Sequence, residues 1–308
     1  MAHRAADPVS GGDPATARLR LRIIHNERAG ARNDARFRAV LERLQHNGHD
    51  LRILTTRKAG DAADLVRSAN SAAVDMVVVA GGDGTINDAL QGFGPGTPPL
   101  GLIPLGTANV LAHEIGLGTD PDRIAACLMA RHMLNVRAGV VNGRRFMMMA
   151  SVGLDAQVVS DLPRALKQRL GKLAYLAQTA RTLSRFACPP LEVRIDGTPM
   201  RTSTIIVNRG QRYGGRFILA PGARICDPRF HATVFPEVGR LAVFARFLAI
   251  PLGLVHRLRL VRQVSGARIE IEGPPGDPVQ ADGDIVAHLP ARITLDDQVI
   301  RLCVPARA

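Results

Sequence analysis

One glycine-rich stretch carries the residue types in this chain best suited to chemistry. It reads AGGDGTIND, from Ala80 to Asp88, and it follows the apolar run Met76–Val79. Glycines between a buried strand and a helix let main-chain N–H groups approach an anion, and the helix adds the positive end of its dipole. The stretch therefore favours phosphate binding. It lacks the lysine ending of a Walker A loop and the G-x-G-x-x-G spacing of a dinucleotide fold, and by itself it is equally compatible with a plain turn.

A second loop of small residues has the same setting. PLGTAN, Pro104–Asn109, ends the next predicted strand, and a helix is predicted from about Val110. The carboxyl ends of neighbouring parallel strands meet at one edge of a sheet, which is where such sheets bind ligands. The two loops together therefore indicate one anion site.

Alternating strand and helix patterns surround these loops. Strands are predicted at LRLRII, DLRILT, DMVVVA and PLGLIPL. The repeat Phe37, Val40, Leu41, Leu44 predicts a helix that ends near Gly48, and a further helix is predicted from Ile86. This order predicts a Rossmann-like parallel sheet with helices on both faces, over residues 19–135.

The second half of the chain changes character. Short β-rich runs such as LEVRIDGTPMRTSTIIVNRG and ARIEIEGPPGDPVQADGD are broken by Gly, Pro, Asn and Asp. They predict an antiparallel β-sandwich domain over residues 136–308, interrupted by a basic helix over Leu162–Phe186. Residues 1–18 are polar and rich in Gly and Pro, and are expected to be a flexible tail.

Composition and charge limit the classes of partner that the protein is expected to bind. The 308 residues carry 40 Lys+Arg against 27 Asp+Glu, a net charge of +13 that favours anionic partners. Aromatic residues make up 4% with no Trp, so there are few stacking platforms for bases and no nucleic-acid partner is expected. The four scattered cysteines favour a reducing cytosol, and the apolar stretch Phe247–Val255 is too short to span a membrane.

GGDGTIND followed by GLIPLGTAN resembles the catalytic domain of the diacylglycerol kinase family, in its soluble bacterial lipid-kinase form, which is distantly similar to NAD kinases. The resemblance continues through HNERAG, TTRKAGDA, SVGLDAQVV and the segment VNRGQRYGGRFILAPGARICDPRF. It implies an ATP site whose cofactor-binding residues are Asn26, Gly30, Thr56, Gly81, Gly82, Asp83, Gly84, Thr85, Asn87, Asp88, Gly106, Thr107 and Asn109. Two positions depart from the family: Glu27 replaces a proline, and Val110 stands where an aspartate is frequent.

The same resemblance implies a metal site and a catalytic base. Asp227 matches a magnesium-organising aspartate, assisted by the carbonyls of Arg224 and Arg229. The family places a base in an Asp-Gly-Glu motif, which here reads QADGDIV, so Asp284 is the expected base and Asp282 its helper. Asp284 is one methylene shorter than the usual Glu. An Asp-Gly-Asp sequence between two β runs is also typical of an ordinary hairpin turn.

These features predict an ATP- and Mg²⁺-dependent lipid kinase that phosphorylates the hydroxyl of diacylglycerol or a similar lipid. Its lipid substrate lies at a membrane surface, so we expect a cytoplasmic protein attached peripherally to the inner face of an anionic membrane. Two alternatives stay open: a kinase of a soluble metabolite, and a catalytically weak nucleotide- or lipid-binding regulator. The oligomeric state is also open, with a homodimer among the alternatives.

Overall fold

The computed structural model describes residues 18–27, 33–69, 73–161, 182, 189–235 and 261–306. Gly30, the predicted tail up to residue 17, nearly all of the basic helix over 162–186, and the apolar stretch 247–255 lie outside these ranges. The chain divides into two compact units, Met1–Val136 with Gln298–Ala308, and Arg137–Asp297.

The first unit contains a parallel sheet with four strands in the order β2-β1-β3-β4. The strands are β1 Arg20–His25, β2 Asp50–Thr55, β3 Met76–Gly81 and β4 Leu100–Pro104. Every residue of β3 and β4 is buried, as expected for strands covered on both faces. The predicted α/β class is confirmed for this unit.

Among the described residues, five helices accompany this sheet. They are α1 Asp34–His46, α2 Asp61–Arg67, α3 Asp83–Leu90, α4 Val110–Glu114 and α5 Pro121–Ala130. In α1, Phe37, Val40 and Leu44 form the buried face, as their spacing predicts. Helix α3 begins three residues before the predicted start at Ile86, because the Gly82 carbonyl already accepts the first intrahelical hydrogen bond from the Ile86 N–H, at 3.1 Å.

A later segment of the chain completes the first unit. Strand β18, Ala291–Cys303, is thirteen residues long, and its Leu302 pairs in parallel with Leu100 of β4. The Sγ atoms of Cys303 and of Cys127 in α5 lie 4.0 Å apart, both buried. Residues 298–308 therefore belong with the first unit, whereas the sequence pattern places everything after residue 135 in the second domain. The physical reason is the length of β18, which the sequence pattern does not reveal.

The described residues of the second unit form mainly antiparallel strands. One sheet has the order β14-β13-β10-β7-β16-β17, and the other joins β18 to β15, β8 and β9, with β5 pairing with β18 and β6. The elements are β5 Met133–Val141, β6 Arg144–Phe146, β7 Met149–Val152, α6 Leu154–Asp161, β8 Leu191–Ile195, β9 Thr198–Thr202, β10 Thr204–Asn208, β11 Arg212–Tyr213, β12 Phe217–Ile218, β13 Phe230–Phe235, β14 Arg262–Gly266, β15 Ile269–Glu272, β16 Pro278–Ala281 and β17 Asp284–His288.

The core of the second unit unites side chains from both of these sheets. Val207 and Phe230 come from the six-stranded sheet, Val193 and Ile271 come from the other, and all belong to one buried cluster. Two antiparallel sheets that share one apolar core form a β-sandwich, so the predicted class is confirmed for this unit as well. None of the helices in the described ranges combines the length and apolar character that a membrane span requires.

Phe146 is the aromatic centre of that core, fully buried and stacked on Phe230 with ring centroids 6.1 Å apart. We expect Phe146→Ala to reduce the free energy of unfolding of the second unit by about 3–5 kcal/mol, because it removes apolar contacts and leaves a cavity. Urea denaturation followed by circular dichroism measures this. The control is Ile218→Ala in the same unit, at a residue that is 39% exposed, and it should cost at most about 0.5 kcal/mol. Equal effects of the two changes would contradict the assigned core.

Candidate active site

Three loops of the first unit begin side by side at the carboxyl ends of parallel strands. The strand register pairs His25 with Ala80, and Gly81 with Pro104. Main-chain hydrogen bonds continue past the strand ends, from the Asn26 N–H to the Ala80 carbonyl at 3.0 Å and from the Leu105 N–H to the Gly81 carbonyl at 2.9 Å. The two glycine-containing loops and Asn26 are therefore neighbours, as the sequence predicts.

The two glycine loops touch through their backbones. A Cβ atom on Gly106 would lie 2.5 Å from the Cα of Gly82, and a Cβ on Gly82 would lie 3.1 Å from the Cα of Gly106. Real Cβ atoms do not approach other atoms as closely as 2.5 Å, so Gly106 admits no side chain without a shift of the Gly82 backbone. This contact fixes the relative position of the two loops.

The carboxylate of Asp83 connects the same two loops by hydrogen bonds. Its Oδ1 accepts the Val110 N–H at 2.7 Å, at the first turn of α4. Burial raises the pKa of the Asp83 carboxyl, and hydrogen bonds from the N–H groups of Val110, Leu111 and Asn109 oppose that shift. Asp83 was expected among the cofactor-binding residues. Its side chain holds the start of α4 against the glycine loop that follows β3.

Three other predicted cofactor-binding residues also have partners within the protein. Asp88 accepts the N–H groups of Gly60 and Ala62 at 3.0 and 3.1 Å, and so caps the start of α2. The Asn87 carbonyl and Oδ1 accept from the Gln91 amide. The Asn26 amide donates to the Thr85 hydroxyl at 2.9 Å. These side chains order the loops, and their predicted contacts with a nucleotide stay predictions.

Other polar groups at these strand ends remain available to a ligand. Gly84 and Thr107 are the exposed residues of the two loops, and the half-buried Thr56 follows β2. Buried polar atoms without a hydrogen-bond partner among the described residues include Asn109 Oδ1 and His25 Nε2. The His25 ring is stacked on Phe37 at 3.9 Å, and burial lowers its pKa, which favours the neutral imidazole. Exposed main-chain groups at a helix start suit a phosphorylated ligand.

In the second unit, the predicted catalytic pair occupies the β16–β17 hairpin. Asp282 and Gly283 form the turn, with φ of 48° and 87°. The Asp282 carboxylate accepts the N–H groups of Met147, Met148 and Met149 at 2.6, 2.9 and 3.0 Å. Asp282 therefore fastens the hairpin to the start of β7. Asp284 begins β17 and is exposed, whereas Asp282 is half-buried, so Asp284 is the more accessible of the two predicted catalytic carboxylates.

Asp227 and its neighbours were expected to hold magnesium. Asp227 Oδ2 lies 2.8 Å from the Arg224 N–H and 2.9 Å from His231 Nε2. The Arg224 carbonyl accepts the Asp227 N–H at 2.8 Å, and the Arg229 carbonyl accepts Arg209 Nη1 at 2.9 Å. Each residue of the expected ligand set already has a protein partner, so the set does not fit a magnesium ion as it stands. The described residues contain no group of three or more His, Cys, Asp or Glu placed to hold a metal.

Two charged residues in the second unit were not predicted from the sequence. Asp155, 1% exposed, accepts from Ser151 Oγ at 2.6 Å, from Gln280 Nε2 at 3.1 Å and from the Tyr213 hydroxyl. Arg209 is fully buried and donates to main-chain carbonyls. The sequence signal for both was a charged residue in or next to an apolar run. Asp155 lies within SVGLDAQVV, and Arg209 lies at the end of TIIVNRG.

Comparison with known proteins places this arrangement in a family. Residues 20–141 match the diacylglycerol kinase catalytic domain, and residues 148–304 match the YegS C-terminal NAD kinase beta sandwich-like domain. The diacylglycerol kinase of Bacillus subtilis is 30% identical over 243 residues, which cover 77% of this chain and 80% of that protein. The chain belongs to the bacterial diacylglycerol kinase family. It is therefore a lipid kinase, a phosphotransferase of the type related to NAD kinase.

Other members of the diacylglycerol kinase family agree in sequence and in fold. The diacylglycerol kinase of Mycobacterium tuberculosis (strain ATCC 25618 / H37Rv) is 29% identical over 275 residues, covering 86% of this chain and 88% of that protein. The crystal structure of a diacylglycerol kinase from Bacillus anthracis superposes with a TM-score of 0.74 at 24% identity, covering 93% of this chain and 97% of the other. The superposition shows the shared fold.

The contact between Gly82 and Gly106 leads to a test of how the two glycine loops are held together. We expect Gly106→Ala to cost about 1–3 kcal/mol of stability, because the added methyl group must displace the Gly82 backbone. Thermal unfolding of the first unit measures the loss. Gly94→Ala is the matched control, since a Cβ there meets nothing within 4 Å. An unchanged stability of Gly106→Ala would show that the loops are not held in contact.

Proposed function

We propose that the chain transfers the γ-phosphate of ATP to the hydroxyl group of diacylglycerol or a similar lipid. The backbone contact of the two glycine loops at the strand ends carries the proposal, because it brings two glycine-containing helix starts to one place. Membership in a lipid kinase family supplies the reaction class. The glycine-rich helix starts indicate that one substrate is an anion, because main-chain N–H groups at a helix start attract negative charge.

The nucleotide side of the reaction is assigned to the first unit. We assign Asn26, Thr56 and Thr107, beside the glycine loops, to contacts with the nucleotide. Asn109 Oδ1 is a buried hydrogen-bond acceptor with no donor among the described residues. Mg²⁺ enters as part of the Mg·ATP substrate, where it neutralises charge on the β- and γ-phosphates. The role of the chain is to position the phosphates and to place positive backbone dipoles near the charge that develops during transfer.

Asp284 is the proposed general base for the lipid hydroxyl. Asp284 is an exposed carboxylate at the start of β17, whereas the Asp282 carboxylate is held by main-chain N–H groups of Met147, Met148 and Met149. The Asp284 side chain is one methylene shorter than the Glu that is usual in the family, so the β16–β17 hairpin has to bring its backbone correspondingly closer to the substrate.

Replacement of Asp284 tests the reaction and its base together. With labelled ATP and a total lipid extract, we expect one phosphorylated lipid product, and Asp284→Asn should reduce its rate by about 10²- to 10⁴-fold with nearly unchanged ATP affinity. Asp297→Asn, at an exposed carboxylate on β18, is the matched control and should retain the parent rate. Asp282→Asn should instead lower the stability of the second unit.

Each outcome of that assay has a distinct meaning. A labelled product confined to the water-soluble fraction would replace the lipid kinase assignment by a kinase of a soluble metabolite. Nucleotide binding without any labelled product would indicate a regulator. Full activity of Asp284→Asn would remove Asp284 as the base while leaving the phosphoryl transfer in place.

We further propose that the enzyme meets its lipid at an anionic membrane surface, supported by the net charge of +13. Binding to vesicles should increase with their content of anionic lipid and decrease with added salt, because exposed charges are screened beyond about 8 Å at physiological ionic strength. Vesicle sedimentation measures both dependences. Binding that is independent of salt and of anionic lipid would contradict this docking mode.

A further inference from the structure

Arg209 lies at the centre of the loop that contains Asp227. It follows β10, has no exposed surface, and donates to four main-chain carbonyls. Nη1 donates to Asp227 at 2.8 Å and to Arg229 at 2.9 Å, Nη2 donates to Ile225 at 2.8 Å, and Nε donates to Arg137 at 3.2 Å. Three of the four acceptors lie within five consecutive residues, so one guanidinium group defines the path of this loop.

The surroundings of Arg209 are those of a buried cation. The guanidinium carbon lies 5.6 Å from the centroid of the Phe230 ring, an arrangement in which the aromatic face attracts positive charge. A guanidinium group is always charged in proteins, so Arg209 gives the loop a permanent positive charge.

Several carbonyl oxygens with a carboxylate close by are also the ligand chemistry of a divalent cation such as Mg²⁺ or Ca²⁺. In this loop the carbonyls of Ile225, Asp227 and Arg229 instead accept hydrogen bonds from a side chain of the protein. A second positive charge beside the guanidinium group would be repelled by it. A magnesium ion and a buried guanidinium group are thus two ways to supply the positive charge that the carbonyl oxygens of this loop attract.

We propose that Arg209 takes the structural place of a divalent cation in the 224–229 loop. The loop then keeps its conformation without Mg²⁺, and protein donors alone orient the Asp227 carboxylate. The inference concerns the same loop as the proposed function but does not require kinase activity. Its test measures loop order in the absence of nucleotide, so that its failure is distinguishable from a failure of the proposed function.

Hydrogen–deuterium exchange of the backbone amides of residues 224–231 provides that measurement. The full-length parent protein without nucleotide is compared in millimolar MgCl₂ and in EDTA, and we expect the same exchange in both. In Arg209→Met, exchange in this loop should become at least about tenfold faster, because losing even one charge-assisted hydrogen bond of ordinary strength shifts an opening equilibrium that far.

The control is Arg22→Met, a second buried arginine, in the first unit. Arg22 Nη1 donates to the Leu65 carbonyl at 3.1 Å and to Ser68 Oγ at 2.9 Å. Its replacement should leave exchange in residues 224–231 unchanged. If Arg209→Met does not fold, Arg209→Lys serves instead, because it keeps the charge but one ammonium group cannot reproduce the fork of three donor nitrogens. Its loop should exchange faster than that of the parent.

Two results would overturn the proposal. Slower exchange of the parent loop in MgCl₂ than in EDTA would show that an ion, not Arg209 alone, orders the loop. Parent-like exchange in the folded arginine variant would show that the guanidinium group does not define the loop. Equal exchange of the parent in both buffers, together with faster exchange in the variant, would support it.

Discussion

The close approach of Gly82 to Gly106 is the constraint on which the arrangement of the two glycine loops depends. Each of these residues lies just after a buried parallel strand, and a side chain on Gly106 would collide with the Gly82 backbone. Once the two backbones are in contact, the Asp83 carboxylate reaches the start of α4, and Asn109 can donate to the Gly106 carbonyl at 2.8 Å. The hydrogen bonds of the site thus follow from a steric condition that only glycine satisfies.

The role of Asp83 illustrates why ligand-like residue types in a loop need not touch a ligand. A carboxylate that accepts hydrogen bonds from the first turn of a helix satisfies N–H groups that have no intrahelical partner. Asp88 does the same for α2 through Gly60 and Ala62. These two acidic side chains join neighbouring connections of the sheet into one edge.

The sequence predicted the features that depend on local pattern. The apolar run before Ala80, the glycines after it and the alternation of strands with helices were sufficient to predict the parallel sheet and to bring the two loops together. The features that escaped prediction depend on partners far away in the chain. Asp282 finds its donors at Met147–Met149, and Arg209 finds its acceptors at Arg137 and Ile225–Arg229. Spacing within a motif indicates which residue type is present, but not which way its hydrogen bonds are directed.

The pairing of Leu302 with Leu100 also has a consequence for the order in which the protein is made. Strand β4 leaves the ribosome about two hundred residues before its neighbour β18. At usual synthesis rates of about 5–20 residues per second, the edge of β4 waits roughly 10–40 s for its partner. An unpaired strand edge is a template for pairing with other chains. The nascent first unit therefore exposes the unpaired edge of β4, and with it a risk of aggregation, for as long as translation of the second unit lasts.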